Sequence, residues 1–241
     1  MTAPVSDAPR VLADLALEID PDEVLRFQGY KKGRDVPTPE VLALFHEALD
    51  LGRRLMEPRA VVRRVAVTRR DRDALEADGV VLAIPKIGES WGPVEHLLAG
   101  VCTVGGALER RVGELWEARE LPLAAMLDSV GSGAVESLAE YVNDELCQEG
   151  LRRGVKVTNR ISPGYGGWDV AQQTALFRLC AGDAIGVTLN EARFMTPVKS
   201  ISLLAGAGPG ARVDHYFSQC ARCWMRDCAY RRTPARRIVH R

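Results

Sequence analysis

Apolar positions recur at two different spacings along the chain, and the changes between them mark out the elements. RVLADLALEIDPDEVLRFQGYKKG reads as a short strand or turn followed by a short helix. Asp20 is a good N-cap and Pro21 suits the first helical position, so PDEVLRF predicts a short helix that stops at Gly29. Thr38 and Pro39 repeat that signal, and Val41, Phe45, Ala48 and Leu55 then recur at helical spacing. AVVRRVAVTR is β-branched and predicts a strand. GVVLAIP fits either a strand or a short apolar helical segment. PVEHLLAG predicts a helix, GVCTVGG a short buried strand and ALERRVGELWEAR an amphipathic helix.

The longest helical pattern covers about residues 121–152. Gly131 and Gly133 lie inside it, each at a cost of about 1 kcal/mol against alanine, and mark a kink or the close approach of another backbone. GVKVTNRI is strand-like. DVAQQTALFRLC is helical, opened by Asp169 with Gln172 three residues on in a capping-box-like arrangement. IGVTL and VKSISLLAG close the core as strands. Helices and strands mix without a regular βαβ rhythm, which gives an α+β class. GAGPGAR, residues 206–212, reads as a linker between a body at 1–205 and a tail at 206–241.

Composition adds limits. Of 241 residues, 46% are hydrophobic and 27% charged, the profile of an ordinary globular chain with a sizeable core. A formal net charge of zero gives no whole-molecule case for nucleic acid. No apolar run is long enough to span a membrane, and the N-terminal MTAPVSDAPR carries no secretory pattern, so a cytoplasmic protein with reduced thiols is expected. The charge is uneven. Residues 212–241 hold eight arginines against Asp214 and Asp227, a basic end that is either simply solvated or meets an acidic partner or phosphate.

Three groups of residues carry candidate chemistry. The stretch NRISPGYGG, residues 159–167, places glycines and a proline around Arg160 and Tyr165. A glycine turn between strand and helix can present backbone N–H groups to an anion, and a guanidinium fits a carboxylate with two hydrogen bonds. A plain structural turn with a surface arginine has the same composition. Glu136 and Glu140 are four apart, so both carboxylates lie on one helix face, as an acid–base pair, a cation site or a solvated face. Cys220, Cys223 and Cys228 form a C-x2-C-x4-C run. Its thiolates suit zinc or an iron–sulfur cluster with Cys102, Cys147, Cys180, His215 or an exogenous group as fourth ligand, or are simply reactive or incidental thiols. No H-E-x-x-H, G-x-S-x-G, P-loop or complete G-x-G-x-x-G motif is present, which leaves ordinary hydrolase and NTP-driven readings with little support.

Taken in order, these segments resemble the activation domain of cobalamin-dependent methionine synthase. Arg160-Ile161-Ser162-Pro163-Gly164-Tyr165 matches its R-x-x-P-G-Y motif after a strand, and Glu136-Ser137-Leu138-Ala139-Glu140-Tyr141 its E-x-x-A-E-Y helix. IGVTLNEARFMTPVKSIS is similar to its I-G-x-x-L-x-E segment followed by M-x-P and a serine-bearing strand. The resemblance is specific across about 120–205 and vaguer before it.

It implies a central, mostly antiparallel sheet flanked by helices, and S-adenosylmethionine as ligand. Arg160 would hold the methionine carboxylate, Ser162 (through its backbone) and Tyr165 would line the adenosyl portion, and Glu136 would lie near the positive end of the ligand. The function implied is reductive methylation, and so reactivation, of a corrinoid carried by a separate methyltransferase or corrinoid protein, with an electron donor as a further partner. The cobalamin would belong to that partner, no nucleic acid or membrane is expected, and the chain would be a component of a methionine synthase-type methyltransferase system. The alternatives are a non-catalytic scaffold of the same fold that docks on a partner, and a transferase acting on another substrate. The family's P-A-C-P-x-H continuation is replaced by Gly166-Gly167-Trp168-Asp169-Val170-Ala171, which implies a different docking partner. The cysteine tail has no counterpart in the full-length enzyme's activation domain, and Cys220, Cys223 and Cys228 are expected there to hold a metal or a cluster that relays the electron.

Overall fold

The computed structural model describes residues 7–213. In chain order the elements are β1 (Arg10–Leu12), α1 (Pro21–Phe27), α2 (Pro39–Leu55), β2 (Arg59–Arg70), β3 (Ala74–Ala77), β4 (Val80–Ala83), α3 (Ile87–Trp91), β5 (His96–Thr103), α4 (Ala107–Glu117), α5 (Leu121–Arg152), β6 (Lys156–Val157), α6 (Gln173–Leu179), β7 (Thr188–Leu189), β8 (Met195–Thr196) and β9 (Ser200–Gly208). The class is α+β. The main sheet has the order β4-β3-β2-β5-β9-β6, with β1 paired to β2, and every pairing in it is antiparallel. β7 and β8 form a separate two-stranded ribbon.

Local signals account for the first helices. Asp20 accepts a hydrogen bond from the Asp22 amide with Pro21 in the first turn, and Thr38 accepts from the Val41 amide ahead of α2. The sheet separates two apolar clusters. On one face α1, α2, α4 and α5 cover Ala60, Val62, Leu98, Cys102, Leu203 and Ala205. On the other, α3, α6 and neighbouring turns cover Val61, Val65, Leu97, Ala99, Val101 and Leu204. The strands therefore alternate between two buried faces rather than between core and water.

α5 organises the helical layer. Its 32 residues span about 48 Å. The glycines inside it mark close approach: a Cβ at Gly131 would meet Leu108 Cδ2 at 2.7 Å, and one at Gly133 would meet Val24 Cγ2 at 2.8 Å. α4 and α1 thus rest directly on the α5 backbone.

Two sequence readings are corrected. PVEHLLAG does not form a helix. Its second half is the start of β5, whose residues from His96 pair with β2 on one side and β9 on the other, with Leu97 and Leu98 entering opposite clusters. Burial on both faces overrides the helical preference of leucine. GAGPGAR is not a free linker over its described length. Residues 206–208 complete β9, and Arg212 returns its amide to the Trp91 carbonyl at 2.9 Å. GVVLAIP resolves as the strand β4, and β3, whose ALEA sequence carries no strand signal, pairs with it. The strand expected from GVKVTNRI is short, and only Thr188–Leu189 of IGVTL is strand.

Candidate functional site

Arg160 lies on the sheet edge where the chain passes β9. The Thr158 amide donates to the Gly206 carbonyl at 2.8 Å, and Ile161 and Leu204 exchange two hydrogen bonds of 2.9 Å. Thr158 and Ile161 are three residues apart, whereas their partners Gly206 and Leu204 are two apart. The extra residue makes a bulge, the device that re-aims a side chain at a sheet edge. Ile161 packs with the second cluster while Arg160 reaches α5.

The arginine meets the carboxylates expected from spacing alone. Arg160 Nη2 donates to Glu136 Oε2 at 3.1 Å and to Glu140 Oε1 at 2.6 Å. The Arg160 side chain is 12% exposed, Glu136 23% and Glu140 55%. Burial works against the charge of Arg160, but Glu140 and Glu136 outweigh it and hold its pKa above the ordinary value. Both bonds use Nη2. The Arg160 Nε is buried and has no hydrogen-bond partner among the described residues.

The acidic row is longer than the two glutamates. Asp128, Ser132, Glu136 and Glu140 follow one another at four-residue steps on α5. Buried Lys199, just before β9, donates from Nζ to Ser132 Oγ at 2.8 Å and pairs with Asp128 Oδ1 at 2.7 Å. Two cations from the far end of the chain, Lys199 and Arg160, are therefore seated on one helical stripe. The Glu136–Glu140 spacing was read from the sequence, but its extension to Ser132 and Asp128 was not, and Lys199 gave no local signal. Asn143, on the following turn of α5, has a buried Oδ1 without a hydrogen-bond partner among the described residues.

The glycine loop is pinned at its base and open at its tip. Ser162 is buried, and its hydroxyl donates to the Ser202 carbonyl at 2.7 Å, so its side chain anchors the loop to β9. The Tyr165 amide donates to Ser162 O at 3.2 Å, Trp168 N to Tyr165 O at 2.9 Å, and Gly164 N to Trp168 O at 2.8 Å. Tyr165 itself is half exposed. Gly164, Gly166 and Gly167 have φ of 93°, 60° and 84°, which non-glycine residues rarely adopt. Trp168, noted in the sequence only as part of the altered docking segment, is buried under the loop with its Nε1 lacking a partner among the described residues. Asp169 caps the next turn through the Ala171 amide at 2.8 Å, but Gln172 does not close a capping box, because its Oε1 accepts from the Ala83 amide at 2.9 Å.

The cysteine readings divide. Cys102 and Cys180 are buried, and burial pushes the Cys102 thiol up to about 12 and the Cys180 thiol higher still. Cys147 is half-buried and also raised, by burial first and then by Asp144. Burial thus favours the thiol form of all three. No cluster of three or more histidine, cysteine or acidic side chains suited to a metal occurs among the described residues. Cys220, Cys223, Cys228 and His215 lie outside them.

No protein-family model matches the chain, and no curated protein matches it. Among solved structures, it is similar to one described as the crystal structure of the MetH reactivation domain bound to AdoHcy, with a TM-score of 0.67 and 18% identity. The match covers 91% of this chain and 84% of that one. At that identity the likeness establishes the fold, an antiparallel sheet between helical layers. No helix among the described residues is long and apolar enough to cross a membrane.

Proposed function

We propose that the α5 stripe and the glycine loop form a binding site for S-adenosylmethionine, and that the chain supports methylation of a reduced corrinoid held by a separate protein. The observation that carries this reading is the buried, half-used guanidinium of Arg160. An orphaned N–H in a closed setting costs about 1–3 kcal/mol, and a ligand carboxylate on the Nε and Nη2 pair removes that cost. The incoming carboxylate competes with one glutamate. Glu140, 55% exposed against 23% for Glu136, is the one with water to move into. Glu136 then stays beside the site, where its charge favours a sulfonium. Tyr165 and the loop backbone offer a flat face for the adenosyl part. The solved neighbour, described as bound to AdoHcy, supports an S-adenosyl ligand on this fold.

The ligand supplies the methyl group and its own leaving group, so the task of these residues is orientation. Arg160 fixes one end, the loop fixes the other, and the methyl group faces a docked partner that carries the corrinoid. Cys220, Cys223 and Cys228 are proposed to hold iron–sulfur or zinc. An anaerobically reconstituted sample lacking both metals would remove that part alone.

The test is methylcobalamin formation from S-adenosylmethionine, a chemical reductant and cob(II)alamin, followed by absorbance. The chain should raise the rate at least tenfold, and Arg160→Met should return it to the background. No acceleration by folded protein that also fails to bind the ligand leaves the scaffold reading, in which the Arg160–glutamate cluster is a structural clasp.

A further inference from the structure

A cavity of about 480 Å³ lies at the C-terminal end of α5. Val62, Leu98, Leu146, Val155, Val157 and Ala207 give it an apolar floor. Three arginines and three acids stand around it: Arg10, Arg64 and Arg153 with Asp7, Glu95 and Glu149. Glu149 serves two of the arginines, at 3.2 Å from Arg10 and 2.7 Å from Arg153. The third, Arg64, is less well matched. Its Nε is 3.6 Å from Asp7 Oδ2, too long for a hydrogen bond, and is buried without any other partner among the described residues.

His96 completes the set. Arg64 Nη2 lies 2.9 Å from His96 Nε2. A guanidinium has no acceptor, so Nε2 must carry the lone pair and the ring must be neutral, with its proton on Nδ1. Burial and then the Arg64 charge push the His96 pKa down, in agreement with that assignment. An apolar floor thus meets a permanent cation with an unused, buried N–H donor. Sites of this size and make-up take small molecules.

We propose that this cavity binds a small carboxylic acid with an apolar body, its carboxylate on Arg64 and its body over Leu98 and Val157. The site is distinct from the one at Arg160: Glu140 and Glu149 are nine residues apart on α5, about 14 Å along the helix. It does not depend on the S-adenosylmethionine reading.

Sodium octanoate is the probe, titrated into the full chain by calorimetry with octanol as the uncharged counterpart. Octanoate should saturate at one equivalent, and octanol should bind at least tenfold more weakly. The His96 ring signals, assigned with His96→Gln, should shift with octanoate. Arg64→Met, which keeps the apolar stem, should weaken octanoate at least tenfold. Because the octanoate–octanol comparison uses the unaltered chain, it decides the matter even if a variant does not fold. Equal affinities, no saturation at millimolar octanoate, or binding that leaves the His96 ring unmoved would overturn the assignment.

Discussion

The loop at 163–167 and the strand end at 206–210 are both rich in glycine, and the segment leading into the loop pairs with that strand end through the hydrogen bonds between Thr158 and Gly206. They use the residue in opposite ways. In the loop, a Cβ on Gly164, Gly166 or Gly167 would meet nothing within 4 Å, and the requirement is the positive φ. At the strand end, a Cβ on Gly206 would meet Val94 Cγ1 at 2.6 Å and Trp91 Cε3 at 2.8 Å, and the requirement is the missing side chain. One stretch takes up left-handed backbone with nothing packed on its glycines, and the other removes space so that the sheet can close on Trp91. Glycine content marks a place where the backbone does something unusual, but only tertiary contacts say whether that place is open or shut.

Substitution separates the two uses. Gly206→Val drives two methyl groups into Val94 and Trp91. It should destabilise the fold by about 3 kcal/mol, lowering Tm by roughly 6–12 °C for a domain of this size. A Tm within 2 °C or so of the parent would show that the strand end is loose and that the contrast fails. Arg160→Met removes the cation shared by Glu136 and Glu140 and should cost about 2 kcal/mol by chemical denaturation, because both carboxylates lose their ion pair with a largely buried guanidinium. Gly166→Ala, with φ of 60° and open space, should cost only about 1 kcal/mol. A loss as large as that of Gly206→Val would mean that the loop is packed against something.

The smallest effect at neutral pH belongs to Cys102, fully buried in the first cluster within reach of the Arg160 and Glu136 charges. Its thiol ionises near 9 in the unfolded chain and at about 12 in the folded one, so between those values the unfolded state binds fewer protons and stability falls as pH rises. Thermal melts of Cys102→Val and of the parent should agree at pH 7 and diverge above about pH 9, with the parent losing more. Parallel curves up to pH 11 would place the thiol in a wetter setting.

Much of the helical layer was legible because its signals are local. Asp20–Pro21 and Thr38–Pro39 mark helix starts within a few residues, and the apolar period carries α4 and α5. The strands were harder. β5 reads as helix in its first half because a strand buried on both faces has no alternation to show, and the ALEA of β3 is held by its hairpin partner rather than by its own preference. At the site, the i, i+4 glutamates and the glycine loop are written in the sequence, but that Arg160 lands on Glu136 depends on a one-residue bulge. The roles of Lys199 and Trp168 were invisible because they arise from partners at Asp128 and in the second core cluster.

The most direct test of the account is calorimetric titration of S-adenosylmethionine into the folded full-length chain and into Arg160→Met. The account predicts saturation at one equivalent for the parent and at least a tenfold weaker affinity for the variant, with its fold confirmed by circular dichroism. No heat from the folded parent, or an affinity unchanged in the variant, would contradict it.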